Sequence, residues 1–143
     1  MIDVSCFAGP GPLVPAHLST ASSVERLLRL EGVTRAGVSP MAGLFSSDPA
    51  VNDDVLTLPR FFAPIPIVDP RWPNLAAHLR IYRGQGCVAV RITPGSHGYL
   101  AAEATELKQA CGTLDLTLIL QMRIADPRNL PPDLPLPDVP LAD

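Results

Sequence analysis

MIDVSCFAGPGP, residues 1–12, decides between two folds. A short apolar strand carrying one acid, Asp3, hands over to a run of glycine and proline, Gly9 to Pro12. In an open doubly wound sheet this loop is a phosphate cradle of the G-x-G-x-x-G type. GPGP lacks that pattern, and no helix starts directly after it. The first half of a (β/α)8 barrel, an architecture that typically runs to about 250 residues, is therefore favoured.

The rest of the chain repeats one unit. Apolar runs begin near Ile2, Val33, Phe62, Cys87 and Asp115, 25 to 31 residues apart, the length of a strand plus a crossover helix. Ser22 to Glu25 reads as a capping box, Val24, Leu27 and Leu28 as an apolar stripe, and Gly32 as a left-handed cap. Asp48 and Pro49 predict the start of a short helix. WPNLAAHLRIYRGQG places Leu75, Leu79 and Tyr82 on one face and ends at Gly84. Leu100, Ala104, Leu107 and Cys111 form the stripe of a fourth helix, closed by Gly112. LTLIL, at Leu116 to Leu120, is apolar throughout, as expected of a parallel strand covered on both sides. Pro64 and Pro66 weaken the third strand, because each removes a ladder donor. The expectation is an α/β partial TIM barrel of about five parallel strands and four helices over residues 1–123. Residues 124–143, with six prolines and no helical period, read as an extended arm or linker.

At 143 residues, 47% hydrophobic and 17% charged, the chain is long and apolar enough to bury a core. A net charge of −3 offers no basic footprint for nucleic acid. No apolar run approaches the roughly 20 residues of a bilayer span, and the start lacks a signal-peptide pattern, so a cytoplasmic location is expected. Cys6, Cys87 and Cys111 are widely spaced, with no zinc-binding interval, and read as buried small hydrophobes.

Several stretches in order resemble the amidohydrolase superfamily, in its amidohydrolase-2 branch of metal-dependent TIM-barrel hydrolases and decarboxylases. They are IDVSCFAG, LLRLEGVTRAGVSP, DPAVNDDVL, RFFAPIPIVDP, GCVAVRITPGSHGYL and LDLTLILQ, covering about residues 1–128. The resemblance implies an active site at the C-terminal ends of the strands. It also implies a metal held by two histidines that close the first strand and one that closes the fifth. Asp3 matches the leading acid of the first-strand motif, but Ser5, Phe7 and Gln121 stand at those histidine positions. Phenylalanine cannot coordinate, and serine and neutral amides are poor zinc ligands, so no metal cofactor is expected.

Arg91 ends the fourth strand, where alternation places it with Cys87 and Ala89. It can hold a substrate carboxylate through two parallel bonds, or pair with Asp3 or Asp69. His97, on the following loop, is the candidate general acid/base, although it could simply bond its own loop; Tyr99 reads as a packing anchor. Gln121 and Arg123, in QMRIADPR with Asp126 and Arg128, are candidate substrate-binding groups at the mouth, or a charged strand end. His17 reads as solvated and His78 as the boundary of a helix stripe. Ser5 has no G-x-S-x-G context for nucleophilic catalysis.

The expected function is that of an amidohydrolase-related hydrolase acting on a small polar or carboxylated molecule. Two alternatives stand beside it. A half-barrel without catalysis would cover its two open edges with a second copy or with a missing C-terminal half. An open-sheet binding module would bind its ligand at a reversal of strand order.

Overall fold

The computed structural model describes residues 1–11 and 15–121. Arg123, Asp126, Arg128 and the Pro-rich arm lie outside these residues. Within them the chain is a mixed α/β fold with parallel strands. The strands are β1 (Ile2–Ala8), β2 (Arg35–Pro40), β3 (Phe62–Pro64), β4 (Ala89–Ile92) and β5 (Thr117–Leu120). The helices are α1 (Ala16–Ser19), α2 (Ala21–Leu30), α3 (Asp53–Leu56), α4 (Leu75–Gly84), α5 (Pro94–His97) and α6 (Thr105–Thr113).

β1, β2 and β3 form one parallel sheet, and β4 and β5 a second. They meet through an isolated parallel bridge between Ile67 and Arg91. There the Val68 amide donates to the Arg91 carbonyl and the Arg91 amide to the Pro66 carbonyl, each at 2.8 Å. The described strands follow sequence order and do not close into a barrel.

β3 is short for the reason its sequence shows: Pro64 and Pro66 have no amide hydrogen to continue the ladder. Asn52 takes up part of the deficit. Its Oδ1 accepts from the Ile67 amide at 2.8 Å, and its Nδ2 donates to the Ile67 carbonyl at 2.9 Å and to the Tyr82 hydroxyl at 3.1 Å. One buried side-chain amide thus satisfies both backbone groups of Ile67, as a neighbouring strand would.

Six helices replace the four expected, because α1 and α5 are single turns within loops and leave no periodic signal. The helix after Asp48 is a 3-10 turn, Pro49–Asn52, continued by α3, and Asp48 Oδ1 accepts from the Ala50 amide at 2.9 Å. α2 starts before the expected capping box: Thr20 is its N-cap, accepting from the Ser23 amide at 3.2 Å. Gly32 adopts the expected left-handed conformation, φ 76°. Beyond α4 that role falls to Gly86 rather than Gly84, and beyond α6 to Asp115 rather than Gly112.

The apolar residues sort into layers. Val68, Leu79, Tyr82, Val90, Ile92, Leu107 and their neighbours fill the space between β4, α4 and α6. Cys6, Ala36, Val38, Val55 and Phe62 pack with Val24 and Leu28 of α2. On the opposite, inner side, Met41, Leu44 and Ile67 gather against Phe7. All three cysteines are free and buried, and burial raises their thiols, those of Cys6 and Cys87 to about 11. Cys87 lies in the helix-side cluster, before β4 begins, and not on the Arg91 face as simple alternation suggests. Among the described residues no helix is long and apolar enough to cross a membrane.

Candidate functional site

The first strand does not carry its residues as an even alternation would. Between Asp3 and Cys6 the pairing with β2 slips, so Asp3 lies opposite Ala36 while Phe7 lies opposite Ser39. Asp3 Oδ1 accepts the Ser5 amide at 2.8 Å, holding this bulge. In parallel pairs facing residues share a side, so Asp3 follows Ala36 to the helix side and Phe7 follows Ser39 inward. Asp3, Ser5 and Phe7 therefore do not form one row of side chains.

Arg91 occupies the inner side of β4, flanked by Ile67 and Ile119, while Val90 and Ile92 point into the helix layer. Its side chain is fully buried, with 0% exposure. Nη2 donates to the Val4 carbonyl of β1 at 2.8 Å, Nη1 donates to Gln121 Oε1 at 3.2 Å, and the guanidinium lies 4.6 Å from the centre of the Phe7 ring. Arg91 thus crosses from β4 to β1 and to the end of β5, and it brings two of the expected residues, Arg91 and Gln121, into contact.

Neither acid considered as its partner takes that role. Asp69 is held by Arg71 through Nε at 2.9 Å and Nη2 at 2.7 Å, and Asp3 acts on Arg91 only through space. Among the described residues Arg91 has no carboxylate within ion-pair distance. Burial lowers its proton affinity, and its Nε is buried without a hydrogen-bond partner. A buried guanidinium held only by neutral acceptors and a ring is stabilised incompletely, and an anion is what would complete it.

His97 belongs to a neighbouring group. Its Nε2 meets the Gly43 carbonyl at 2.8 Å, and because a carbonyl can only accept, Nε2 carries the proton. Nδ1 has no hydrogen-bond partner and faces Asp69 Oδ2 at 3.9 Å. Both side chains are 3% exposed. Burial alone would raise the Asp69 carboxyl, but hydrogen bonds from the Arg71 side chain and backbone outweigh it and hold the carboxyl below its ordinary value. Arg71 also donates to the His97 carbonyl at 2.9 Å and lies 5.1 Å from the Tyr99 ring centre. Tyr99 is buried as expected of a packing anchor. Burial raises its phenol, and its hydroxyl is buried without a hydrogen-bond partner. His78, on α4, lies between the rings of Trp72 and Tyr82, tilted to both.

Arg91 Nε, Thr93 Oγ1, His97 Nδ1 and Tyr99 OH are the buried side-chain polar atoms left without a partner among the described residues. All four come from the end of β4 and the turn that follows it. Sequence reasoning singled out Arg91, His97 and Tyr99 in this stretch but missed Thr93, Asp69 as the neighbour of His97, and Arg71. The DPR sequence at 69–71, at the end of the third apolar run, was the available signal.

No family model, curated protein or solved structure matches this chain. The metal implied by the amidohydrolase resemblance does not suit the residues at its expected ligand positions. Phe7 stacks on a guanidinium, Gln121 accepts a hydrogen bond from that guanidinium, and Ser5 sits in an exposed bulge. A cation placed among them would face the fixed charge of Arg91. Among the described residues no three His, Cys, Asp or Glu side chains gather as a ligand set.

Proposed function

We propose that this chain is the N-terminal part of an amidohydrolase-like (β/α) barrel that binds a small carboxylated molecule at the C-terminal end of β4, without the usual metal. The carrying observation is the concentration, among the described residues, of partnerless buried polar atoms on residues 91–99, headed by a guanidinium with no described carboxylate beside it. Buried polar groups in folded proteins are nearly always bonded, so a cluster of exceptions calls for a ligand. Strand order without a reversal favours the barrel reading over an open-sheet module. In this reading Arg91 holds the carboxylate, Gln121 orients the guanidinium, and His97 exchanges protons through Nδ1, the ring nitrogen not tied to Gly43. Hydrolysis is the proposed chemistry, and a cytoplasmic location accords with it.

Malonate titration, followed by the arginine Nε–H resonances of the full chain, tests this. A saturable shift of one buried Nε signal, lost in Arg91→Lys, is expected. Shifts confined to exposed arginines, without saturation, would overturn it.

A second reading has its own support. Among the described residues β1 and β5 are edge strands, and Ile2, Val4 and Leu120 on them are 68%, 62% and 43% exposed. Long apolar edges invite pairing with another chain, so this half-barrel would cover them with a second copy.

A further inference from the structure

A cleft opens at the end of the strands opposite the Arg91 group. Arg35 begins β2, Arg60 precedes β3, and both line a cavity of about 470 Å³ together with Gln85 beyond α4. Its lining is mixed: Leu56, Leu58, Phe62 and Pro64 form an apolar part beside Thr34, Gln85 and the two arginines, and among the described residues no carboxylate lines it. Among the described residues neither Arg35 nor Arg60 has a hydrogen-bonded or ion-paired acid, whereas Arg29, Arg71 and Arg83 each do. In a chain of net charge −3, two arginines with no acid between them make a local positive field. Guanidinium groups match phosphate and carboxylate oxygens in pairs, and the apolar part of the lining offers cover for a ring or short hydrocarbon.

We propose that this cleft binds a phosphate monoester with an apolar body. The two arginines would hold the dianion, Gln85 would donate to a further oxygen, and Leu56, Leu58 and Phe62 would cover the organic part. This site is independent of Arg91, and neither proposal depends on the other.

Isothermal titration of the full chain with phenyl phosphate tests it, with Arg35→Gln, Arg60→Gln and, as a control outside the cleft, Arg26→Gln. All three arginines are exposed, so the variants are expected to fold, and their thermal unfolding verifies this. Arg35→Gln and Arg60→Gln should each weaken phenyl phosphate roughly five- to tenfold, and Arg26→Gln by less than about twofold. Inorganic phosphate should bind more weakly than phenyl phosphate. The proposal is overturned by no binding up to about 10 mM, by equal affinity for the two probes, or by a loss no greater in the cleft variants than in Arg26→Gln.

Discussion

Each orphaned atom at the end of β4 poses its own energetic question, and Thr93 poses the simplest. Its hydroxyl is buried without a bond, so it bears a desolvation cost that a methyl group would not. Thr93→Val should therefore stabilise the unliganded chain by about 1 kcal/mol in urea unfolding; a loss of stability would show that the hydroxyl has a partner in solution. Asp69 gives the opposite expectation. Its carboxyl is lowered in the fold, so its contribution is present above the unfolded value of about 3.9 and is lost as pH falls through the folded value. Asp69→Asn should lower the unfolding midpoint at neutral pH, and the gap between variant and parent should close as the pH drops below about 4. A gap of constant size across that range would assign the loss to packing rather than charge. Arg91 was legible in the sequence because an arginine closing an apolar strand is conspicuous. The partners of His97 were not, since Gly43 is 54 residues away and contributes only a carbonyl.

Among the elements, those with local rules were the readable ones. α2, α4 and α6 follow from apolar stripes and from left-handed residues near their ends, although the start of the α6 stripe, Leu100 and Ala104, falls on a preceding 3-10 turn, Ala101–Ala104, and its N-cap. β3 was readable as a weak strand because proline removes donors, but its replacement was not. Asn52 reaches Ile67 across 15 residues, and nothing in VNDDV distinguishes a buried bridging asparagine from an exposed one. Asn52→Ala would leave both Ile67 backbone groups and the Tyr82 hydroxyl in need of partners. It should cost on the order of 3 kcal/mol in urea unfolding. Asn52→Asp should not restore stability, because a carboxylate cannot donate to the Ile67 carbonyl. Removal of the α2 cap by Thr20→Ala should cost only about 1 kcal/mol, since the bonds lost, to the Ser23 amide and the Ser22 and Ser23 hydroxyls, are all exposed at a helix end. If the two substitutions cost the same, Asn52 is not the replacement for a strand neighbour. The bulge in β1 was likewise illegible: alternation assumes an unbroken register, and the Asp3–Ser5 contact breaks it.

At the scale of the whole molecule, strand order and side-chain direction together suggest an arc. The strands run in sequence order, their helix-side residues pack under α2, α4 and α6, and Arg91 spans the inner side to reach β1. The α/β class with parallel strands was legible from the spacing of the apolar runs alone; whether the arc belongs to a barrel depends on what covers β1 and β5. Backbone groups on the outer side of an edge strand can bond a further strand, and exposed Ile2 and Val4 add apolar area to such a contact. If a second copy supplies that strand, sedimentation equilibrium at tens of micromolar should show a dimer, the usual closed assembly for identical chains. Ile2→Lys combined with Val4→Lys should return it to a monomer, because charges on an edge oppose pairing, while the core cluster that α2 packs against is left untouched. A parent chain that stays monomeric throughout that range would instead leave the edges open to a different covering segment. The Arg91 site would then have to be sought where that segment meets β5, since Gln121 stands directly after this strand and already touches the guanidinium.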